Sequence, residues 1–449
     1  MSETCNSRHF SWLMKSCFPN PNDKPLSPHS PHHLPIKASA PTLSSLPDDL
    51  LLECLSRLPA PSLPAAASVC RRWSRILDSP AFHDLRRLHG LLRPSVFALS
   101  FLDSALLSAS LRLGPGPGPG PGPGPGPGSD PLWQVSLFIP DAGWGGGGGG
   151  GGGLLPPASF FQGLVPHARL AAIGPRIYII GRNAVARYDT WTGSVASRSP
   201  MTFPRKKFAV AVHSGRIYVA GGGGGGRTSA VEEYDPDRDG WTVVSHAPRR
   251  RYGCVGAAVD GVFYVIGGLR IGPSAAGTEP SRATGAEAHV YASSMDLYDV
   301  EARGWLRSRA VPGGGCVVAA CAAVGHVYVL ASHALELSFW RFDARRRSGG
   351  GGGGGGGCFG EWSRAKSPPL PTQVRLDSTV KFSCVGVGDK VVLVQVAGCI
   401  DDLLRRSGRS ERGMREGLVL AYDTAAGEWS RAADLPEVIS RAACACVEC

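Results

Sequence analysis

No apolar run in this 449-residue chain approaches the roughly 20 residues that span a bilayer. The first forty residues hold no apolar core of the 7–15 residues that a secretory signal needs. Acidic residues are short, 36 Asp and Glu against 47 Lys and Arg, giving a net charge of +11. Such a balance can favour acidic partners or nucleic acid. Many of the arginines, however, sit in loop-like runs such as Arg249 to Arg251, Arg345 to Arg347 and Arg405 to Arg412, read as solvated surface. The 13 cysteines lack paired spacing, and Cys254, Cys321 and Cys384 lie in apolar runs where Cys acts as a small hydrophobe. Reduced thiols in the cytoplasm or nucleus are therefore expected.

Catalytic patterns are also missing. There is no Gly-x-Ser-x-Gly elbow and no His-Glu-x-x-His helix. Cys444, Cys446 and Cys449 have no second pair of ligands to complete a zinc site, and alternation in a strand puts Cys444 and Cys446 on one packing face. No metal, cofactor, nucleic acid or membrane is expected. The one glycine-rich phosphate-loop pattern runs from Gly221 to Thr228, with Arg227 where lysine belongs. A phosphate loop must open a helix. The next residues, SAVEEYD, read as a strand, so the glycines are placed in a loop.

Glycine (61) and proline (37) are plentiful because of low-complexity tracts. Gly114 to Gly128 alternates Gly and Pro, which excludes the every-third glycine of collagen. Gly145 to Gly153 and Gly349 to Gly357 are glycine runs. None can form a core, and each is read as an inserted loop. Residues 1–42 are Ser-, Pro- and His-rich and expected to be disordered.

Residues 43–92 have helical punctuation. Ser45 suits a cap, Pro47 a first turn, and Asp48 and Asp49 the positive end of a helix dipole. Leu51, Cys54, Leu55 and Leu58 then keep helical spacing up to Pro59. SVCRRWSRIL gathers Val69, Trp73, Ile76 and Leu77 on one face, and Ser79-Pro80 opens another helix. The result is a three-helix unit of about 45 residues, small enough to gain stability from a partner.

From Ser95 to the end the chain repeats. Runs such as RIYIIG, RIYVAGG, VFYVIGG, HVYVLAS and KVVLVQV each come after a small apolar run. Each precedes an aromatic-Asp pair: Tyr188-Asp189, Tyr234-Asp235, Tyr298-Asp299, Phe342-Asp343 and Tyr422-Asp423. Seven residues past the aromatic stands Val195, Trp241, Trp305 or Trp429, and Trp362 resumes the pattern after a glycine tract. The pattern implies five units of four short strands, whose edges a radial arrangement protects. SVFALSFLD and LWQVSLFIP are read as the middle strands of a sixth unit joined by the Gly-Pro tract. The terminal RAACACVEC is read as its missing first strand, closing the ring.

Two resemblances add to this reading. LPDDLLLECLSRLP, SVCRRW and SPAF resemble an F-box, matching at Leu46, Pro47, Leu51, Leu52, Leu55, Leu58, Pro59, Val69, Cys70 and Trp73. That resemblance implies binding to the Skp-type adaptor of a cullin-RING ubiquitin ligase through Leu46, Pro47, Leu50, Leu51, Leu55, Pro59 and Val69. It leaves Leu58, Cys70 and Trp73 to hold the module together. The repeats resemble kelch units, with double glycines at Gly221-Gly222 and Gly267-Gly268, a Tyr-Asp turn and a following Trp; the last two units lack the double glycine. The expected fold is a small all-α module over 43–92, then an all-β kelch propeller of six blades over 94–449. The combination implies a non-catalytic, plant-type substrate receptor that holds an unidentified target protein on its propeller. A kelch scaffold without ubiquitin transfer is the alternative. A propeller copper oxidase is disfavoured by the missing ligand set.

Overall fold

The structure, a computed structural model of the chain, describes residues 46–102, 105–113, 133–138, 168–223, 228–270, 291–333, 336–345, 360–370, 380–398, 400 and 417–449. Residues 1–42, Ser45, the three low-complexity tracts, Arg227, Arg346, Arg347 and Arg405 to Arg412 lie outside them. The chain divides into the units Met1–Pro47 and Asp48–Cys449, and all of the described helices and strands belong to the second.

Four α-helices open that unit: α1 (Asp48–Ser56), α2 (Leu63–Val69), α3 (Arg71–Leu77) and α4 (Pro80–Leu88), with a 3-10 turn at Ala60–Ser62 between the first two. The sequence predicts three. The extra break is at Cys70, whose φ of −161° and ψ of 164° are extended and end one helix while starting the next. The break separates Val69 from the face it was grouped with: Val69 is exposed, whereas Ile76 and Leu77 are buried. On α1 Leu51 and Leu55 turn inward, but Cys54 is exposed, so the buried stripe is narrower than predicted. α4 begins as its sequence predicts. Pro80 fills its first turn, and Ser79 Oγ accepts from the Phe82 N–H at 3.3 Å.

The rest of the described residues form six four-stranded antiparallel sheets and one small two-stranded sheet, Arg251–Tyr252 with Leu269–Arg270. Blade one combines the C-terminal Ala443–Glu448 with Pro94–Leu102, Ala105–Arg112 and Gln134–Phe138. Blades two to six start at Arg169–Ile173, Ala209–His213, Val255–Val259, Cys316–Ala323 and Lys381–Val387. Each of these first strands packs beside that of the next blade. The series passes through Ala443–Glu448 and returns to Arg169–Ile173, so the sheets form a closed ring. Closure is made by pairing the two ends of the ring, Val96 with Cys446 and Ala98 with Cys444. The C-terminal residue then exchanges two backbone hydrogen bonds with Arg93, at 3.0 and 3.2 Å. Six blades and the closing strand are thus as the sequence predicts.

Blade one differs in detail. The two middle strands are Pro94–Leu102 and Ala105–Arg112, paired directly, and the Gly-Pro tract instead leads to the outermost Gln134–Phe138. The hairpin escapes a sequence reading because SALLSASLR has weak β-propensity. Trp133 stands just before the outer strand and donates from Nε1 to the Ala433 carbonyl at 2.9 Å. It is the tryptophan of the first repeat, unrecognised in the sequence because no aromatic-Asp pair precedes it.

The aromatic-Asp phase has a physical cause. In blades two to six the aspartate Oδ1 accepts backbone N–H groups two or three residues ahead, locking the turn between the third and fourth strands. The aromatic stands directly across from the residue seven places on: Tyr234 from Trp241, Tyr298 from Trp305, Tyr422 from Trp429 and Tyr188 from Val195. The paired rings lie 5.0–5.2 Å apart. Each of these tryptophans then reaches the preceding blade with Nε1: Trp241 to the Ser199 carbonyl, Trp305 to Ser245 Oγ and Trp429 to the Lys366 carbonyl. One motif therefore shapes a turn and clamps neighbouring blades.

The double glycines are a packing requirement. Gly222 has φ +85°, and a Cβ there would sit 2.8 Å from the Lys206 carbonyl oxygen and 2.9 Å from Phe208 Cβ. Gly268, at φ +88°, would press on the Tyr252 oxygen at 3.0 Å. Gly221 and Gly267 are likewise left-handed.

Candidate partner-docking surfaces

Of the residues that the F-box resemblance assigns to adaptor binding, Leu50 and Val69 stand out at 53% and 61% exposed. Pro47 and Pro59 are exposed and Leu46 is half-buried. Leu51 and Leu55 are 2% and 3% exposed, which puts them in the interior of the helical module. Leu58 and Trp73 are half-buried, while Cys70 is exposed at the helix break.

The module is seated on the ring. Phe82 on α4, fully buried, meets Trp191 of blade two edge-on at 5.3 Å. Arg86 is buried beside them, its guanidinium 5.5 Å from the Trp191 ring. Its Nη1 donates to the carbonyls of Ser56 and Leu58 at 3.0 and 2.6 Å, tying α4 to the end of α1. Arg176, at the start of a blade-two strand, pairs with the carboxylate and the carbonyl of Asp78. Arg87 reaches Glu448 on the closing strand at 3.3 Å. All of these ring contacts lie on the side carrying the Tyr-Asp turns. On the opposite side blade two carries its connection from second to third strand, residues 181–184.

The basic run Arg249 to Arg251 is not the solvated loop that its sequence suggests. Arg251 is fully buried. Its Nε donates to Asp296 Oδ2 at 2.7 Å, its Nη1 to the carbonyls of Gly267, Tyr291 and Ser294, and its Nη2 to Ser294 Oγ. Arg249 shares the same carboxylate at 3.1 Å. Blade three repeats the arrangement: Arg205 is buried, pairs with Glu232 at 2.5 Å and donates to the carbonyls of Gly221 and Ala230. A signal was present in the sequence. Each arginine precedes its blade's first strand by four residues, and each acid precedes the tyrosine of the Tyr-Asp pair by two.

The next described element after Gly221 and Gly222 is not a helix but the strand Ala230–Asp235, so no described helix opens on these glycines. Burial pushes the Cys444 and Cys446 thiols up to about 12, which keeps them protonated within the packing of the closing strand. Among the described residues no three His, Cys, Asp or Glu side chains gather as a metal site. No described helix is long and apolar enough to cross a membrane.

A seated helical module on a six-bladed ring with Tyr-Asp turns and double glycines defines an F-box propeller protein. The family model for the F-box domain matches residues 43–85, and that for the kelch motif matches 204–247. The F-box/kelch-repeat protein At5g26960 of Arabidopsis thaliana is 62% identical over the full length of both chains. At1g67480, an F-box/kelch-repeat protein of the same plant, is 29% identical over 51% of this chain and 55% of its own. The F-box protein AFR, also from Arabidopsis, is 31% identical over 47% of this chain and 51% of its own. The chain belongs to the F-box/kelch-repeat family.

Proposed function

We propose that this chain is the substrate-recognition subunit of a Skp-cullin-F-box ubiquitin ligase in the cytoplasm or nucleus. On this reading, residues 43–92 dock on a Skp-type adaptor and the ring over 94–449 holds a target protein. The observation that carries it is the exposure of Leu50 and Val69, two large apolar residues that the F-box pattern assigns to adaptor binding. Leu46, Pro47 and Pro59 complete the proposed contact. Leu51 and Leu55 support it from beneath.

The chain performs no bond chemistry in this scheme. The seating of α4 on blade two holds the target at a set position relative to the adaptor. Tethering then raises the effective concentration of a target lysine near the charged ubiquitin-conjugating enzyme. The target is proposed to bind on the ring side away from the helices.

Proximity labelling with the full chain and with a chain lacking 43–92 tests the scheme. Adaptor and cullin should vanish with the truncation while ring-bound targets persist. Unchanged adaptor labelling would refute it.

A further inference from the structure

A cleft of about 170 Å³ lies between the helical module and blade two, with Ser74, Arg75, Asp78, Arg187, Trp191 and Ser194 on its wall. A cavity of about 150 Å³ accepts a group the size of benzene, so the space suits a small ligand group. Two side-chain donors on this wall have no acceptor: the indole Nε1–H of Trp191 and the Nε–H of Arg187. Buried donors are almost always met, so each orphan calls for an explanation. Trp191 is only 6% exposed and its ring is fixed by Phe82 and Arg86, so it cannot swing out to water.

The acids on the wall are already engaged. Asp78 is taken by Arg176, and Arg187 comes no closer to it than 4.0 Å. Asp189 Oδ1 accepts the backbone N–H groups of Trp191 and Thr192 at 3.0 and 2.9 Å. Burial lowers the pKa of the Arg187 guanidinium, Asp78 opposes this, and repulsion from Arg198 and Arg176 adds to it. The wall therefore offers unused donors, with the guanidiniums of Arg176 and Arg198 near that of Arg187.

We propose that this cleft binds a small oxyanion, a carboxylate or phosphate group, held by Trp191 Nε1, Arg187 and Arg75 with the Ser74 and Ser194 hydroxyls beside them. The occupant touches α3 and the blade-two turn at once and stiffens the joint between the helical module and the ring. This inference is independent of what the helical module docks on.

Thermal unfolding of the full chain in chloride, inorganic phosphate and acetate at equal ionic strength tests it. A ligand of the folded state raises the midpoint as its concentration grows. A saturable rise over chloride is expected; phosphate alone would mark a phosphate-bearing ligand, and both anions would admit carboxylates. Trp191→Phe keeps an aromatic ring and removes the indole N–H. It should abolish the rise, whatever the smaller ring costs the anion-free midpoint. Arg75→Gln, at an exposed position, should need about tenfold more anion for the same rise, the loss expected of a charge-assisted hydrogen bond. No rise with either anion, or a full rise in both variants, would overturn the proposal.

Discussion

Replacing Arg251 and Arg249 separately by Met distinguishes a structural arginine from a surface one, because both meet the same carboxylate. Arg251 has no exposed side-chain surface, whereas that of Arg249 is 34% exposed. Arg251→Met removes five hydrogen bonds and leaves Asp296, itself 2% exposed, with only Arg249 and Ser308. Breaking a buried ion pair from one side costs about 3–5 kcal/mol. Arg249→Met removes one partly solvated ion pair and a contact with the Tyr291 ring at 5.5 Å, and should cost about 1 kcal/mol or less. Urea unfolding followed by tryptophan emission reads both, provided the slope is unchanged between variants. The ring account requires a gap of at least about 2 kcal/mol between the two, by the difference of these costs. Equal effects, or an Arg251→Met midpoint matching the parent, would show that this arginine is not a strut of blade four.

Three further outcomes are expected. Gly222→Ala forces a left-handed alanine against Lys206 and Phe208, and should cost at least about 2 kcal/mol in the same urea assay. Phe82→Ala empties the fully buried contact with Trp191, costing about 3–5 kcal/mol, and should expose the 88–94 junction to limited proteolysis. Alkaline titration concerns Tyr178, Tyr188, Tyr218, Tyr234, Tyr298, Tyr328 and Tyr422, whose phenol pKa values are all raised, chiefly by burial. A raised folded pKa gives stability that is intact below the unfolded value near 10 and is lost as pH climbs toward the folded value. Phenolate absorbance should therefore lag below that of free tyrosine above pH 10 and jump on unfolding; normal titration of these phenols in the folded chain would contradict the burial.

The ring was legible because its cause is local and repeated. An aspartate that locks a turn, an aromatic before it and a tryptophan across from it recur at fixed spacing, and a glycine tract between Asp343 and Trp362 does not hide them. Blade one was only half legible, since the strand Ala105–Arg112 is Ala-, Leu- and Ser-rich. The break at Cys70 was illegible because helical periodicity continues through SVCRRWSRIL and only tertiary packing ends one helix there. Arg205 and Arg251 were visible as charges but not as buried ones. Their burial depends on acids 27 and 45 residues away, whose common phase emerges only when two repeats are aligned. Trp191 gave no signal, because its role is to receive α4 in one blade alone.

The central claim is that Leu50 and Val69, exposed on the helical module, belong to a docking surface. Its direct test is the equilibrium affinity of the purified full chain for a purified Skp-type adaptor. Leu50→Asp and Val69→Asp are compared with Leu88→Asp, which lies at another exposed apolar position. The account predicts that each of the first two weakens binding by at least about thirtyfold, the loss of an interface hot spot, and that Leu88→Asp does not. Adaptor affinity unchanged by both Leu50→Asp and Val69→Asp would contradict it.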